Sequence, residues 1–155
     1  MNTRPVNSEP VTLHSRIRTL VVDDSPFMLK TIAQILKQAA NLDLVGTATN
    51  GLQALRQVSA LSPDLVLMDV HLPYLNGIQA TQYIKQREHP PAVVIITSDA
   101  HPVTEAMAEK AGADRFLSKE GNLRHRLIGA LEDLFDLSGA SRAEDTDTSF
   151  QNQPA

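Results

Sequence analysis

Leu65-Val66-Leu67-Met68-Asp69-Val70-His71-Leu72-Pro73 is the stretch that decides how the chain folds. Four apolar residues in a row read as a strand buried on both faces, and the run delivers one carboxylate, Asp69, where it stops. Pro73 then ends any ladder pairing, because it has no N–H to give. A buried acid is costly unless something holds its charge. On this stretch alone Asp69 reads equally as an ordinary turn residue and as a group placed for chemistry.

The flanking sequence repeats the pattern. Upstream, Leu42 to Ala48 supplies a strand, followed by Asn50-Gly51 and a helix with Leu52, Leu55, Val58 and Leu61 at helical spacing. Asn50 with Gln53 resembles a capping box, and Pro63 closes the segment. Further upstream, Ile17 to Val22 is a strand that runs straight into Asp23-Asp24. Ser25 can then act as N-cap with Pro26 at the first helical position, and Met28, Ile32, Ile35, Leu36 and Ala39 mark one helical face. Downstream, a turn at Asn76-Gly77 leads into a helical stretch to about Arg87, and Pro90-Pro91 resets the chain. Ala92 to Ile96 is a fourth apolar strand, ending on Thr97-Ser98-Asp99. Pro102 opens a fourth helix, for which Gly112 is placed as a left-handed cap. Arg115 to Ser118 is a short fifth strand ending at Lys119. The last helix, from about Asn122 to Leu137, carries Leu123, Leu127, Ile128, Leu131, Leu134 and Phe135 on one side.

Five strands alternating with five helices, the strands reading as continuous apolar runs, predict an α/β fold: a doubly wound parallel sheet covered by helices on both faces. All strand C-termini of such a sheet lie along one edge, where ligands bind at the point at which strand order reverses.

Composition sets bounds around this picture. At 155 residues, 42% hydrophobic and 21% charged, the chain is about one domain's worth. The formal charge of −4 and the absence of a long Lys/Arg run give no electrostatic footprint for direct DNA binding. With no cysteine, disulfides, thiolate metal sites and thiol nucleophiles are excluded. Apolar runs such as Ala92 to Ile96 are too short to cross a bilayer, and the first fifteen residues have no apolar core of a secretory signal. A cytoplasmic protein is expected. Residues 1–15 and 138–155 are polar and aperiodic, so disordered tails are expected on either side of a single domain over 16–137.

The strand ends bring together Asp23 and Asp24 from the first strand, Asp69 from the third, Thr97 from the fourth and Lys119 from the fifth. Taken singly each has a bland reading: a solvated turn acid, an acid at a helix N-terminus, a strand threonine, a surface lysine. Their convergence on one edge does not. Three crowded carboxylates repel and are driven to protonate unless a hard divalent cation neutralises them. Oxygen-only ligands without cysteine point to Mg2+. Lys119 and the Thr97 hydroxyl suit a tetrahedral anion such as a phosphoryl group. His14, His71, His89, His101 and His125 show no metal-ligand spacing and read as surface residues.

Asp23-Asp24, Asp69, Thr97-Ser98 and Lys119, in register with five βα units from about Ile17 to Leu137, resemble the receiver domain of bacterial two-component response regulators. The resemblance implies a flavodoxin-like sheet of order 2-1-3-4-5. It implies that Asp69 is the phosphoacceptor and that Thr97 and Lys119 contact the phosphoryl oxygens. For Mg2+ it implies side-chain oxygens from Asp24 and Asp69, the His71 backbone carbonyl, and Asp23 through water. Phe116, three residues before Lys119, falls at the family's aromatic switch position. The expected partners are a sensor histidine kinase or histidine phosphotransfer protein and an output protein. That output protein, or a second copy of the chain, would bind on the face between the fourth and fifth helices, which carries Pro102, Phe116, Arg124, His125 and Arg126. No membrane partner is expected, and no enzyme beyond one that assists its own phosphorylation and dephosphorylation.

Glu120 stands where many receivers have a proline, which predicts a trans bond after Lys119, since a non-proline cis bond costs about 3 kcal/mol. Gly112 to Lys119 resembles the receivers of helix-turn-helix regulators, yet the residues after Leu137 are too few and too polar for such an effector. A stand-alone receiver or a piece of something longer is expected. His71 and Asp99 stand two positions past Asp69 and Thr97, and strand alternation predicts that they pair across the mouth of the site. The alternative function is a constitutive protein-interaction module on the same scaffold. A phosphatase with an aspartyl intermediate fits less well, because its nucleophile sits in an Asp-x-Asp run and here the paired acids are adjacent.

Overall fold

The computed structural model describes residues 16–39 and 41–136; the expected tails and Leu137 lie outside the described residues, and the last helix ends at Phe135 with Asp136 as its left-handed cap at φ 52°. Five strands, β1 (Ile17–Val22), β2 (Leu42–Ala48), β3 (Leu65–Met68), β4 (Ala92–Thr97) and β5 (Arg115–Ser118), alternate with five helices. The helices are α1 (Pro26–Lys37), α2 (Gly51–Leu61), α3 (Gly77–Lys85), α4 (Pro102–Ala111) and α5 (Leu123–Phe135). The strands pair in parallel in the order β2-β1-β3-β4-β5, the doubly wound arrangement expected.

Strand alternation splits the core into two layers. Leu20, Val22, Val66, Met68, Val93 and Ile95 face one side and pack with Ala54 and Val58 of α2, Ala80 and Ile84 of α3, and Ala108 of α4. Ile17, Val21, Leu65, Leu67, Val94 and Ile96 face the other, against Ile32, Ile35 and Leu36 of α1 and Leu123, Leu127 and Leu131 of α5. Burial on both faces is why β3 is apolar throughout and β4 as far as Thr97, whereas the edge strands β2 and β5 carry exposed polar residues.

The helix ends follow their local chemistry, with two corrections. The Met28 N–H donates to Ser25 Oγ at 3.3 Å, Pro26 opens α1, and Gly112 at φ 104° caps α4. Asn50 does cap α2, accepting from the Gln53 N–H at 2.8 Å. The Gln53 side chain, however, reaches past Asn50 to accept from the Thr49 N–H at 2.7 Å, so the box is open by one residue. The complete capping box sits at Asn76 and Gln79, at the head of α3. The second correction is the buried face of α2: Gly51, Ala54 and Val58 point inward, while Leu52 is 44% exposed. Close approach decides this, since a Cβ on Gly51 would lie 1.9 Å from the Leu75 carbonyl oxygen. Among the described residues no helix is long and apolar enough to cross a membrane.

Candidate functional site

Asp23, Asp69 and Lys119 are each held at the sheet edge by a ladder bond that runs one step beyond the strand. The Asp23 N–H donates to the Ala48 carbonyl at 3.0 Å, Asp69 N–H to Val22 at 3.0 Å, and Lys119 N–H to Thr97 at 2.9 Å. Parallel pairing thereby sets the ends of β1, β3 and β5 level. Gly77 tightens the same corner: its N–H donates to the Val70 carbonyl at 2.8 Å, and a Cβ there would lie 1.8 Å from the Asp69 carbonyl oxygen.

Lys119 Nζ bridges two acids far apart in sequence, 2.7 Å from Asp23 Oδ2 and 3.1 Å from Asp69 Oδ2. The remaining oxygens are satisfied by backbone, Asp23 Oδ1 accepting from the Ser25 N–H at 2.9 Å and Asp69 Oδ1 from the Val70 N–H at 2.7 Å. Asp23 and Asp69 are buried, at 1% and 6% exposure, whereas Asp24 faces solvent. Burial first, and then the neighbouring Asp23 charge, push the Asp69 carboxyl above the ordinary carboxylate range, against the Lys119 charge and hydrogen bond and the Val70 N–H. Burial alone would lower the Lys119 ammonium, but its bonds to Asp23 and Asp69 outweigh that and hold it above the ordinary lysine value. Lys119 is thereby favoured as the cation, and its charge favours the Asp69 anion against burial.

Thr97 is fully buried at the end of β4, and its hydroxyl accepts from the Asp99 N–H at 3.1 Å. That leaves the hydroxyl hydrogen to give. The His71 ring stands out in solvent and its Nε2 meets Asp99 Oδ2 at 3.0 Å, the expected pair. The route to it differs from the expectation, because β3 ends at Met68 and His71 lies in the following loop. The Asp99 carboxyl is held below its ordinary range, chiefly by the His71 hydrogen bond. The peptide bond after Lys119 is trans, as expected. Without a proline, the turn is closed by the Glu120 N–H on Ser118 Oγ at 3.0 Å and by the Arg126 guanidinium on the Glu120 carbonyl. Phe116 is partly buried against the core and lines a groove with Glu105, Glu109 and Arg115.

Asp23, Asp24 and Asp69 present oxygens that all lie within 4.8 Å of one another. An oxygen-only carboxylate set fits Mg2+, which is bound through one or two carboxylates and keeps several waters.

Two features carried no sequence signal. Thr104, in the first turn of α4, donates to Asp99 Oδ2 at 3.1 Å, and Pro102 marks the helix start without marking this contact. Tyr74, 84% exposed, sits at φ 70°, with the Leu75 N–H on the Pro73 carbonyl at 2.8 Å. This is the rare γ-turn with positive φ, strained for a residue with a bulky side chain.

A family model for the response regulator receiver domain matches residues 19–132. A protein-glutamate methylesterase/protein-glutamine glutaminase of Geobacillus kaustophilus is 42% identical over 105 residues, 66% of this chain and 30% of that protein. One from Myxococcus xanthus is 37% identical over 130 residues, 83% of this chain and 36% of that protein. The chain thus spans about a third of the length of the curated relatives it matches. Among solved structures, the response regulator domain of Thermotoga maritima CheB superposes with a TM-score of 0.66 at 32% identity, covering 77% of this chain and 91% of that one. The signal receiver domain of NarL from Mycobacterium tuberculosis gives 0.73 at 28% identity, covering 77% and 96%.

Proposed function

The chain belongs to the response regulator receiver family, and from that premise we propose that Asp69 accepts a phosphoryl group from a phosphohistidine donor, a sensor histidine kinase or histidine phosphotransfer protein. The observation that supports this most is the Lys119 bridge between two buried acids, 2.7 Å from Asp23 and 3.1 Å from Asp69. A carboxylate oxygen of Asp69 attacks phosphorus, the N–P bond breaks, and the imidazole leaves with that electron pair. Asp69 must be ionised to attack, and the Lys119 charge and hydrogen bond oppose the upward shift that burial imposes on it. Lys119 Nζ and the free hydrogen of the Thr97 hydroxyl then serve as donors to the phosphoryl oxygens. Asp24, Asp69 and the His71 carbonyl would hold Mg2+ directly, and Asp23 through water; when bound it neutralises charge on the transferring group and the crowded acids.

The resulting anion at the end of β4 and β5 shifts the balance between two conformations, which an output partner reads. We place that partner on α4, β5 and α5. Glu105 and Glu109 lie one turn apart on α4, while Arg124 and His125 line a groove on α5. Opposite charges on the two sides favour a second copy of the chain related by a two-fold axis. Ester and amide hydrolysis, named for the longer relatives, is not assigned to these residues. We place the protein in the cytoplasm, with which its cysteine-free composition agrees.

The test is labelling by acetyl phosphate. Wild type takes up label only with Mg2+, and Asp69→Asn takes up none while keeping its circular dichroism. Equal labelling of the variant, or label mapped to another residue, would overturn the assignment. Failure of the wild type to bind beryllofluoride with Mg2+ would leave the constitutive interaction module as the better reading.

A further inference from the structure

Asp99 collects three attachments at the mouth of the site. Its backbone N–H donates to Thr97 Oγ1 at 3.1 Å. Its side-chain Oδ2 is shared, lying 3.0 Å from His71 Nε2 and 3.1 Å from Thr104 Oγ1. A carboxylate oxygen in this position accepts from both partners, the His71 ring N–H and the Thr104 hydroxyl. One oxygen atom therefore joins the loop that follows Asp69, the loop that follows Thr97, and the first turn of α4.

The helix it holds has little else to hold it. Of the residues of α4 only Ala108 is buried, and Val103 and Met107 are 60% and 53% exposed. The other bonds at its start are local, the Val103 N–H on His101 Nδ1 at 3.1 Å and the Glu105 N–H on the His101 carbonyl at 2.9 Å. A segment with few buried contacts opens at low cost, so a single hydrogen bond weighs heavily in its position.

We propose that Thr104 and His71 are positioning residues acting through Asp99, a latch that holds the first turn of α4 against the loop of Asp69 until a phosphoryl group draws the Thr97 hydroxyl away. The inference rests on the phosphoacceptor reading of Asp69. The Thr97 oxygen carries the Asp99 N–H. Rotation of the Thr97 side chain that brings Oγ1 to a phosphoryl oxygen carries the acceptor away from the Asp99 N–H, moves Asp99, and loosens its hold on both partners. Reciprocity follows: a partner that binds α4 in its released position stabilises the phosphorylated state by the same factor.

Amide hydrogen exchange over residues 102–108 tests the latch, in wild type, Thr104→Val and Thr104→Ser, each with and without beryllofluoride and Mg2+. Valine keeps the shape of threonine and removes only the donor; serine keeps the donor. In the unmodified state Thr104→Val should exchange about five-fold faster than wild type, the loss of one hydrogen bond, and Thr104→Ser should match wild type. With beryllofluoride the three should converge on the fast rate. Equal exchange of Thr104→Val and wild type before modification overturns the latch. A Thr104→Val difference that persists undiminished with beryllofluoride bound makes it a static cap and overturns the switch. Fluorine NMR reports separately whether beryllofluoride binds at all, so failure of the phosphoacceptor reading is seen apart from failure of the latch.

Discussion

Among single residues, Gly77 carries as much of the site as the charged groups do. It opens α3 immediately below Asp69, and the space its missing Cβ would fill is the Asp69 carbonyl itself, 1.8 Å away. Gly77→Ala should force that corner apart. The expected cost is about 1–3 kcal/mol, from overpacking against backbone that cannot yield. Because the same corner aims the Asp69 carboxylate, the variant should also lose most of its Mg2+-induced rise in melting temperature. Thermal melts with and without Mg2+ check both; an unchanged melting temperature would show that the corner yields freely. Asp23-Asp24, Asp69 and Thr97 each follow an apolar run and Lys119 a short strand, so their places at strand ends were legible in the sequence, but only their convergence on one edge set them apart from ordinary turn and surface residues. Tyr74 was not legible, since nothing in a tyrosine announces a left-handed backbone.

At the level of elements, the sheet is closed at its far end by a small polar knot. Asp114 Oδ2 accepts from Lys85 Nζ at 2.9 Å and from the Val93 N–H at 2.8 Å, and Lys85 Nζ also donates to the Pro91 carbonyl at 2.9 Å. The end of α3 and the starts of β4 and β5 are thus tied together, opposite the edge that carries Asp69. Asp114→Ala strands the Val93 N–H and one Lys85 donor, a loss of about 1–2 kcal/mol. Urea denaturation should show it as a lower midpoint at unchanged slope. A midpoint equal to wild type would mean that water replaces the carboxylate without loss. Periodicity located all five helices, and on α2 Leu55, Val58 and Leu61 do pack on the core while Leu52 does not. Large apolar residues are the usual guide to a core, but where a helix start is pressed onto a loop only glycine and alanine fit, and Leu52 is turned outward.

For the whole molecule, stability and function meet in Lys119, the cation between two buried acids. Lys119→Met leaves Asp23 and Asp69 facing one another unpaired, which should cost about 3–5 kcal/mol without metal. Mg2+ should recover more stability in this variant than in wild type, and equal shifts in melting temperature would separate Lys119 from the metal-binding acids. The pH dependence has a definite sign. The Lys119 ammonium is held above its ordinary value, so the native state binds that proton more tightly than the unfolded chain. Its contribution is complete below the ordinary lysine range and disappears as pH rises through the raised value. For Asp69, raised by burial, metal-free stability declines as pH climbs above the ordinary carboxylate range. By itself the sequence determined the βα alternation, the parallel sheet, the caps at Ser25 and Gly112, and the polar strand ends, because each depends on spacing within one segment. The tertiary structure alone decided that Lys119 reaches back fifty residues to Asp69 and that Thr104 joins His71 on one oxygen of Asp99. These contacts join loops from different strands, and only assembly of the sheet sets how close those loops come.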